Sequence, residues 1–238
     1  MVVRAVDYVA VRGVFRSSGR QLLGILVALF IVFPFLDAAS WGDTVFNWCF
    51  SAVLLSALLA VGGGRRTVLV IGLLLLAPTL ALRWLPREVL LLSDSSLSLA
   101  SHGVFVGFVC VQLLRYVLRT PKVDAEVLAA SVSIYLLLGW LWTFLFRLCA
   151  LIQPHSISVA SPDGPSLYNM FYFSFSTLTT LGYGDILPVS RQARMLAILE
   201  TTCGVLYLTV LVARLVSLYR GAGMADNPSS PHPSRPAD

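Results

Sequence analysis

The segment Thr179–Asp185, with the sequence TTLGYGD, combines residue types that can hold a bare cation. A cation stripped of water needs several oxygen atoms in place of its hydration shell. One strand offers a row of oxygens when successive backbone carbonyls point to the same axis, and this requires positive φ at every second residue. Gly182 and Gly184 have this spacing and adopt positive φ without the steric cost of a Cβ. The segment therefore predicts a chain of cation sites.

One strand cannot surround an ion, so the prediction requires a rotationally symmetric oligomer, most simply a fourfold one. Thr180 adds a hydroxyl oxygen at the inner end of the strand, and Tyr183 points away from the axis and braces it. Asp185 lies just beyond the strand. In a symmetric oligomer it forms a negative ring that attracts cations, and the alternative is an ordinary solvated loop aspartate.

The sequence around this segment is that of an integral membrane protein. Of its 238 residues, 57% are hydrophobic and 12% charged, and the mean hydropathy is +0.82. A soluble domain carries about 25% charged residues. The apolar residues form blocks that reach or approach the ~20 residues with which a helix crosses a bilayer. We predict an all-α membrane protein with six transmembrane helices.

The segment Leu167–Leu178, directly before the candidate cation sites, is apolar and aromatic but too short to cross a membrane. Its 12 residues make a helix of ~18 Å, against ~30 Å of hydrocarbon. Irregular chain at membrane depth is tolerated only where protein buries it or where it lines a water-filled cavity. We therefore predict a re-entrant loop that places the strand inside the membrane.

The predicted organisation has four parts. They are a basic cytoplasmic segment at 1–20, a four-helix transmembrane domain at 21–120, a pore domain at 121–220 and a disordered cytoplasmic tail at 221–238. Within the pore domain we predict an outer helix at 125–152, a pore helix at 167–178, a filter at 179–185 and an inner helix at 193–219.

The net charge of +5 comes from arginines in alternate short loops. This distribution predicts that both termini are cytoplasmic, because loops rich in Arg and Lys stay inside. It also explains the basic character without nucleic acid as a partner, and membrane lipids are the expected surroundings. The fourth span carries His102, Arg115 and Arg119 but lacks arginine at every third position, so we expect no voltage-sensor function from it.

Residues 179–185 resemble the signature filter of the tetrameric potassium channels, with Leu181 where valine or isoleucine is usual. Phe171–Leu178 resembles the pore helix of that family. Ile198–Glu200, Gly204 and Val212–Val216 resemble the inner helix of its bacterial members. The resemblance covers about residues 125–220 and implies a homotetramer in the inner (plasma) membrane of a bacterium.

The resemblance also implies roles for single residues. The filter comprises Thr180, Leu181, Gly182, Tyr183 and Gly184. K⁺ binds to the carbonyls of the first four and to the Thr180 hydroxyl. Gly204 is the gating hinge of the inner helix. K⁺ is the permeant ion and no cofactor is implied.

Three ionisable residues lie inside the predicted pore helices, and two of them, Arg147 and Glu200, are each ~8–11 Å deep. An unpaired charge at that depth costs several kcal/mol. One hypothesis is that they form a buried ion pair. The alternatives are that Glu200 braces the pore helix through Ser176 or Thr177, and that Arg147 snorkels outward. Near the inner mouth, Arg214 either lines the exit or faces lipid headgroups.

These features together predict a potassium-selective channel that conducts K⁺ passively, not an enzyme. Two alternative functions are compatible with the same fold. One is a weakly selective cation channel, if Leu181 loosens the strand. The other is a non-conducting membrane subunit, which the complete Gly-Tyr-Gly sequence disfavours.

Overall fold

A computed structural model of the chain describes residues 19–35, 42–62, 66–84, 96–120 and 124–225. Its helices are α1 (Gly19–Phe35), α2 (Gly42–Gly62), α3 (Arg66–Trp84), α4 (Ser96–Arg119), α5 (Ala125–Ile152), α6 (Leu167–Leu178) and α7 (Arg191–Ala225). Two short strands complete the described elements, β1 (Ile157–Val159) and β2 (Ile186–Pro188).

Five of these helices, α2, α3, α4, α5 and α7, are long and apolar enough to cross a membrane. The described part of α1 has 17 residues, or ~26 Å, a little short of the ~30 Å hydrocarbon core. The chain is thus an all-α membrane protein. Of the six predicted spans, five reach full length among the described residues.

The ranges of α5 and α6 coincide with those expected from the apolar pattern, whereas α7 runs from Arg191 to Ala225. Residues 221–225 are therefore helical and do not belong to the predicted disordered tail. The rest of that tail, and residues 1–18 of the basic segment, lie outside the described residues.

Side-chain caps define where the pore helices begin. Asp124 precedes α5 and accepts a hydrogen bond from the Val127 amide at 3.0 Å. Ser166 precedes α6 and accepts one from the Asn169 amide at 3.2 Å. Each cap satisfies an amide that has no partner inside its own helix. In this way the short α6 has a fixed start as well as a fixed end at the filter.

Helix α5 lies at the centre of the fold, packed against α4, α6 and α7. Of the apolar stretch in α5, 67% is buried within the chain, against 11% in α7. An aromatic cluster joins α5 to the helices before it. The Phe33 ring lies 5.4 Å from Trp140 and 5.0 Å from Phe171, and Phe50 lies 5.2 Å from Trp140.

The strands β1 and β2 pair antiparallel, with Ile157 opposite Pro188 and Val159 opposite Ile186. They flank α6 and the filter segment in sequence, so their pairing ties together the two ends of the re-entrant loop. The carbonyl of Ser156 reinforces this tie by accepting from the amides of Val189 and Ser190 at 2.8 and 3.0 Å. The outer end of the filter is thereby held at a fixed distance from the end of α5.

Candidate functional site

The backbone after α6 alternates in the way that a row of carbonyl oxygens requires. Thr180, Gly182 and Gly184 have φ values of 61°, 56° and 84°. The positive φ predicted for the two glycines is therefore observed. Thr180 adds a third position that the sequence pattern missed, because a non-glycine residue rarely adopts positive φ and nothing in its own type indicates it.

The first half of the segment is hydrogen-bonded through its amides to the end of the pore helix α6. The carbonyl of Ser176 accepts from Leu181 at 2.8 Å and from Gly182 at 3.2 Å, and the Ser176 hydroxyl accepts from Gly182 at 3.1 Å. In a planar peptide the C=O points opposite to the N–H. The carbonyls of Thr180 and Leu181 therefore point away from α6.

The whole filter segment is exposed in a single chain. Leu181 is 57% and Tyr183 68% exposed. A Cβ added at Gly182 or Gly184 would meet no atom within 4 Å. The segment forms an open edge on the side away from α6, while the amides of its first half, up to Gly182, are bonded to α6.

At the outer end, Tyr183 stacks on Tyr172 of α6, with ring centroids 6.3 Å apart and planes within 5° of parallel. The Tyr172 side chain also interacts with Asp185. Tyr172 thus contacts two residues of the outer half of the segment, Tyr183 and Asp185. Aromatic residues along α6 were visible in the sequence, but their orientation relative to the filter depends on the path of the chain after the helix.

Comparisons with known proteins find a matching family model and several relatives. A family model described as "Ion channel" matches residues 127–220. The "Voltage-gated potassium channel Kch" of Escherichia coli (strain K12) is 41% identical over 59 residues, 25% of this chain and 13% of that protein. "Protein LctB" of Bacillus caldotenax is 30% identical over 125 residues, 47% of this chain and 92% of that protein.

The "Two-pore potassium channel 4" of Arabidopsis thaliana is 45% identical over 47 residues, 20% of this chain and 16% of that protein. The chain belongs to the potassium channel superfamily. This membership indicates a channel and not an enzyme. The chain spans under a fifth of the length of Kch and of the two-pore channel. No solved structure matches it.

In this channel, the hypothetical ion pair between Arg147 and Glu200 is not formed. No salt bridge joins the two among the described residues. Instead Glu200 is fully buried and contacts the Ser174 hydroxyl of α6 at 2.6 Å. Glu200 does contact the pore helix, as one of the alternatives proposed, but through Ser174 and not through Ser176 or Thr177. Thr177 is contacted by the next residue, Thr201, whose hydroxyl donates to its carbonyl at 3.3 Å.

Gly204 lies where the inner helix α7 passes the end of the pore helix. A Cβ at this position would lie 2.7 Å from the Leu178 carbonyl oxygen and 2.8 Å from its Cδ1. The glycine therefore permits a close approach of two backbones. Helix α7 continues through this point, and a hinge at Gly204 stays a prediction.

Arg214 has a contact that neither predicted role includes. Its Nη2 donates at 2.6 Å to the carbonyl of Thr120, the residue after α4. On the other side of the same connection, Arg20 of α1 forms a salt bridge with Glu126 in the first turn of α5. The two ends of the connection between α4 and α5 are thus tied to α7 and α1 respectively.

The four-helix region holds a polar cluster that the sequence pattern missed. His102 Nδ1 lies 2.6 Å from the Ser98 carbonyl, so it is the protonated nitrogen and Nε2 accepts from Arg83 at 3.2 Å. The Arg83 guanidinium lies over the rings of Phe46 and Phe50, at 5.1 and 5.0 Å. One half-buried arginine paired with a histidine is not an array of gating charges.

Proposed function

We propose that this protein is a homotetrameric, potassium-selective channel that conducts K⁺ passively. The alternating positive φ values at Thr180, Gly182 and Gly184 support this function most directly. They occur in a segment whose amides up to Gly182 bond to a half-length helix and whose glycines face open space. This arrangement is suited to presenting consecutive carbonyls to a dehydrated cation.

The homotetramer is inferred from what a single chain leaves uncovered. One strand supplies one side of an ion cage, and three further copies around a fourfold axis would close it. Only 11% of the apolar stretch of α7 is buried within the chain, and neighbouring copies would cover part of the rest. The proposed sites use the carbonyls of Thr180, Leu181, Gly182 and Tyr183 and the hydroxyl of Thr180.

Conduction then proceeds by exchange of hydration water for these oxygens, with repulsion between ions in neighbouring sites moving them along. Asp185 at the outer end would attract cations to the entrance. No cofactor enters this scheme. The proposed setting is the inner (plasma) membrane of a bacterium, with both termini cytoplasmic because of the basic alternate loops.

The function is tested by ion flux from proteoliposomes loaded with K⁺ and diluted into Na⁺, read with a pH-sensitive dye and a protonophore. The native channel should release K⁺, and Gly182→Ala should not. An L-residue in this left-handed conformation costs about 1–2 kcal/mol per subunit, and the displaced carbonyls would spoil four strands at once.

Gly164→Ala is the matched control, because Gly164 has φ 60° and an added Cβ would meet no atom within 4 Å there, but it lies in the loop before α6. It should carry the same local strain and conduct like the native channel. Equal flux from Gly182→Ala and Gly164→Ala would contradict the proposed filter. Native flux that is as fast for Na⁺ as for K⁺ would favour the weakly selective alternative.

A further inference from the structure

A single hydroxyl joins the three helices of the pore region. Ser174 Oγ of α6 lies 2.8 Å from the Gly139 carbonyl oxygen of α5 and 2.6 Å from Oε1 of Glu200 on α7. Ser174 and Glu200 are both completely buried. Both distances are in the hydrogen-bond range, so each contact needs a hydrogen between its two oxygens.

The number of hydrogens decides the state of Glu200. A serine hydroxyl has one hydrogen to donate, whereas a carbonyl and an ionised carboxylate have none. If Glu200 were ionised, one of the two contacts of Ser174 would join two oxygens with no hydrogen between them. A protonated Glu200 supplies the missing hydrogen, since it donates to Ser174 while Ser174 donates to Gly139.

The surroundings of Glu200 offer no compensation for a negative charge. Its second oxygen, Oε2, is buried and has no hydrogen-bond partner, and no cationic side chain of the described residues lies within 4 Å. An ionised carboxylate that is buried without a cationic partner carries a large free-energy penalty, whereas a neutral acid leaves only one carbonyl oxygen without a hydrogen bond.

The titratable groups on the helices packed against Glu200 are few. Helix α5 brings the Tyr135 hydroxyl within electrostatic range of Glu200, and it also carries Arg147 outside salt-bridge distance. Helix α6 carries no acid or base other than Tyr168 and Tyr172, and Tyr172 is engaged with Tyr183 and Asp185 at the filter. None of these groups supplies a neutralising positive contact.

We propose that Glu200 is a positioning residue that acts as a neutral, proton-bearing acid and locks the pore helix between the outer and inner helices. The inference rests on the proposed channel function. Ser174 is one half-turn before Ser176, whose carbonyl and hydroxyl hold the amides of Leu181 and Gly182. Loss of the Glu200 proton would break one link of the lock and release the helix that supports the filter.

Infrared spectroscopy of the purified protein in lipid tests the protonation without requiring conduction. At neutral pH the difference between the native protein and Glu200→Gln should contain the carbonyl stretch of a buried carboxylic acid. Alkaline pH should convert this band reversibly to that of a carboxylate. A carboxylate band at neutral pH, in a variant that folds like the native protein, would overturn the proposal.

The pH profile of K⁺ flux tests the positioning role. Native flux should fall as the pH rises into the alkaline range, because deprotonation removes the donor. Glu200→Gln should keep its flux across the same range, because its amide group donates the same bond. Ser174→Ala should lose about tenfold in flux at neutral pH, equivalent to ~1.4 kcal/mol, and should show no further fall at alkaline pH.

Thr202→Val is the control on the same helix, since the exposed Thr202 hydroxyl bonds within α7, to the carbonyl of Ile198. It should show the native flux and the native alkaline fall. If the native channel shows no alkaline fall and its pH profile equals that of Glu200→Gln, the role of the Glu200 proton is overturned and the channel function stays intact. Absence of native flux at neutral pH would count against the channel function, and the infrared test would still decide the protonation.

Discussion

The four-helix region, α1 to α4, and the pore region, α5 to α7, are held together in different ways. In the first, rings and aliphatic side chains fill most of the space between helices, as where Phe33 packs against Phe46. In the second, helices meet at glycines and single hydroxyls, as where Ser174 bridges Gly139 and Glu200. Packing of flexible side chains tolerates adjustment, whereas a contact between backbones does not.

The difference follows from what each region positions. Carbonyl oxygens that bind an ion must be placed to within a fraction of an ångström, so the elements behind them need contacts with defined lengths and directions. The four-helix region supports α5 from one side and holds no comparable set of oxygens among its described residues. Its interhelical histidine–arginine contact, His102 with Arg83, lies beside Phe50, a member of the aromatic cluster that packs on α5.

The largest loss of K⁺ flux and of stability is expected from Gly204→Ala, a substitution in the pore region. The new Cβ would lie 2.7 Å from the Leu178 carbonyl oxygen, a backbone atom directly before the filter. One of the two helices must move, and overpacking of this kind costs about 1–3 kcal/mol. We expect K⁺ flux to be lost together with a lower melting temperature. Native flux and native melting would show that the two backbones are not in close contact.

A smaller but still clear effect is expected from Gly139→Ala. Its Cβ would overlap the ring of Phe175 on α6, and a side chain can rotate away where a backbone cannot. A double variant with Phe175→Leu separates these possibilities. It should recover most of the stability lost by Gly139→Ala, because the shorter side chain vacates the space. A loss in the double variant equal to the sum of the losses in the two single variants would contradict direct contact between these residues.

The smallest effect is expected from Gly24→Ala in α1, where the new Cβ would meet no atom within 4 Å. Alanine is about 0.5–1 kcal/mol more favourable than glycine inside a helix. The melting temperature should therefore stay the same or rise slightly, with unchanged flux. A loss as large as that of Gly204→Ala would remove the distinction between the two regions.

The sequence alone predicted much of the pore region because its features are local. The half-length of α6 follows from counting apolar residues, and positive φ at Gly182 and Gly184 follows from residue type. The partner of Glu200 could not be derived in this way. Ser174, Ser176 and Thr177 all carry a hydroxyl, and only the crossing of α6 with α7 decides which one meets the carboxyl group. Ser176 is instead bonded to the filter amides.

The four-helix region was less predictable because its contacts join residues far apart in sequence. Apolar length alone indicated the helices, but the salt bridge from Arg20 to Glu126 spans 106 positions and depends on how α1 docks on α5. Arg214 is similar, since the Thr120 carbonyl that it binds lies 94 positions away. Such contacts are set by packing and leave no periodic pattern in the chain.

The reversal potential of the purified protein in a planar bilayer, with K⁺ on one side and Na⁺ on the other, tests the central claim most directly. A filter of backbone carbonyls in a tetramer predicts a value near the K⁺ equilibrium potential. Measurable current that reverses near zero would contradict K⁺ selectivity and support an unselective cation pore.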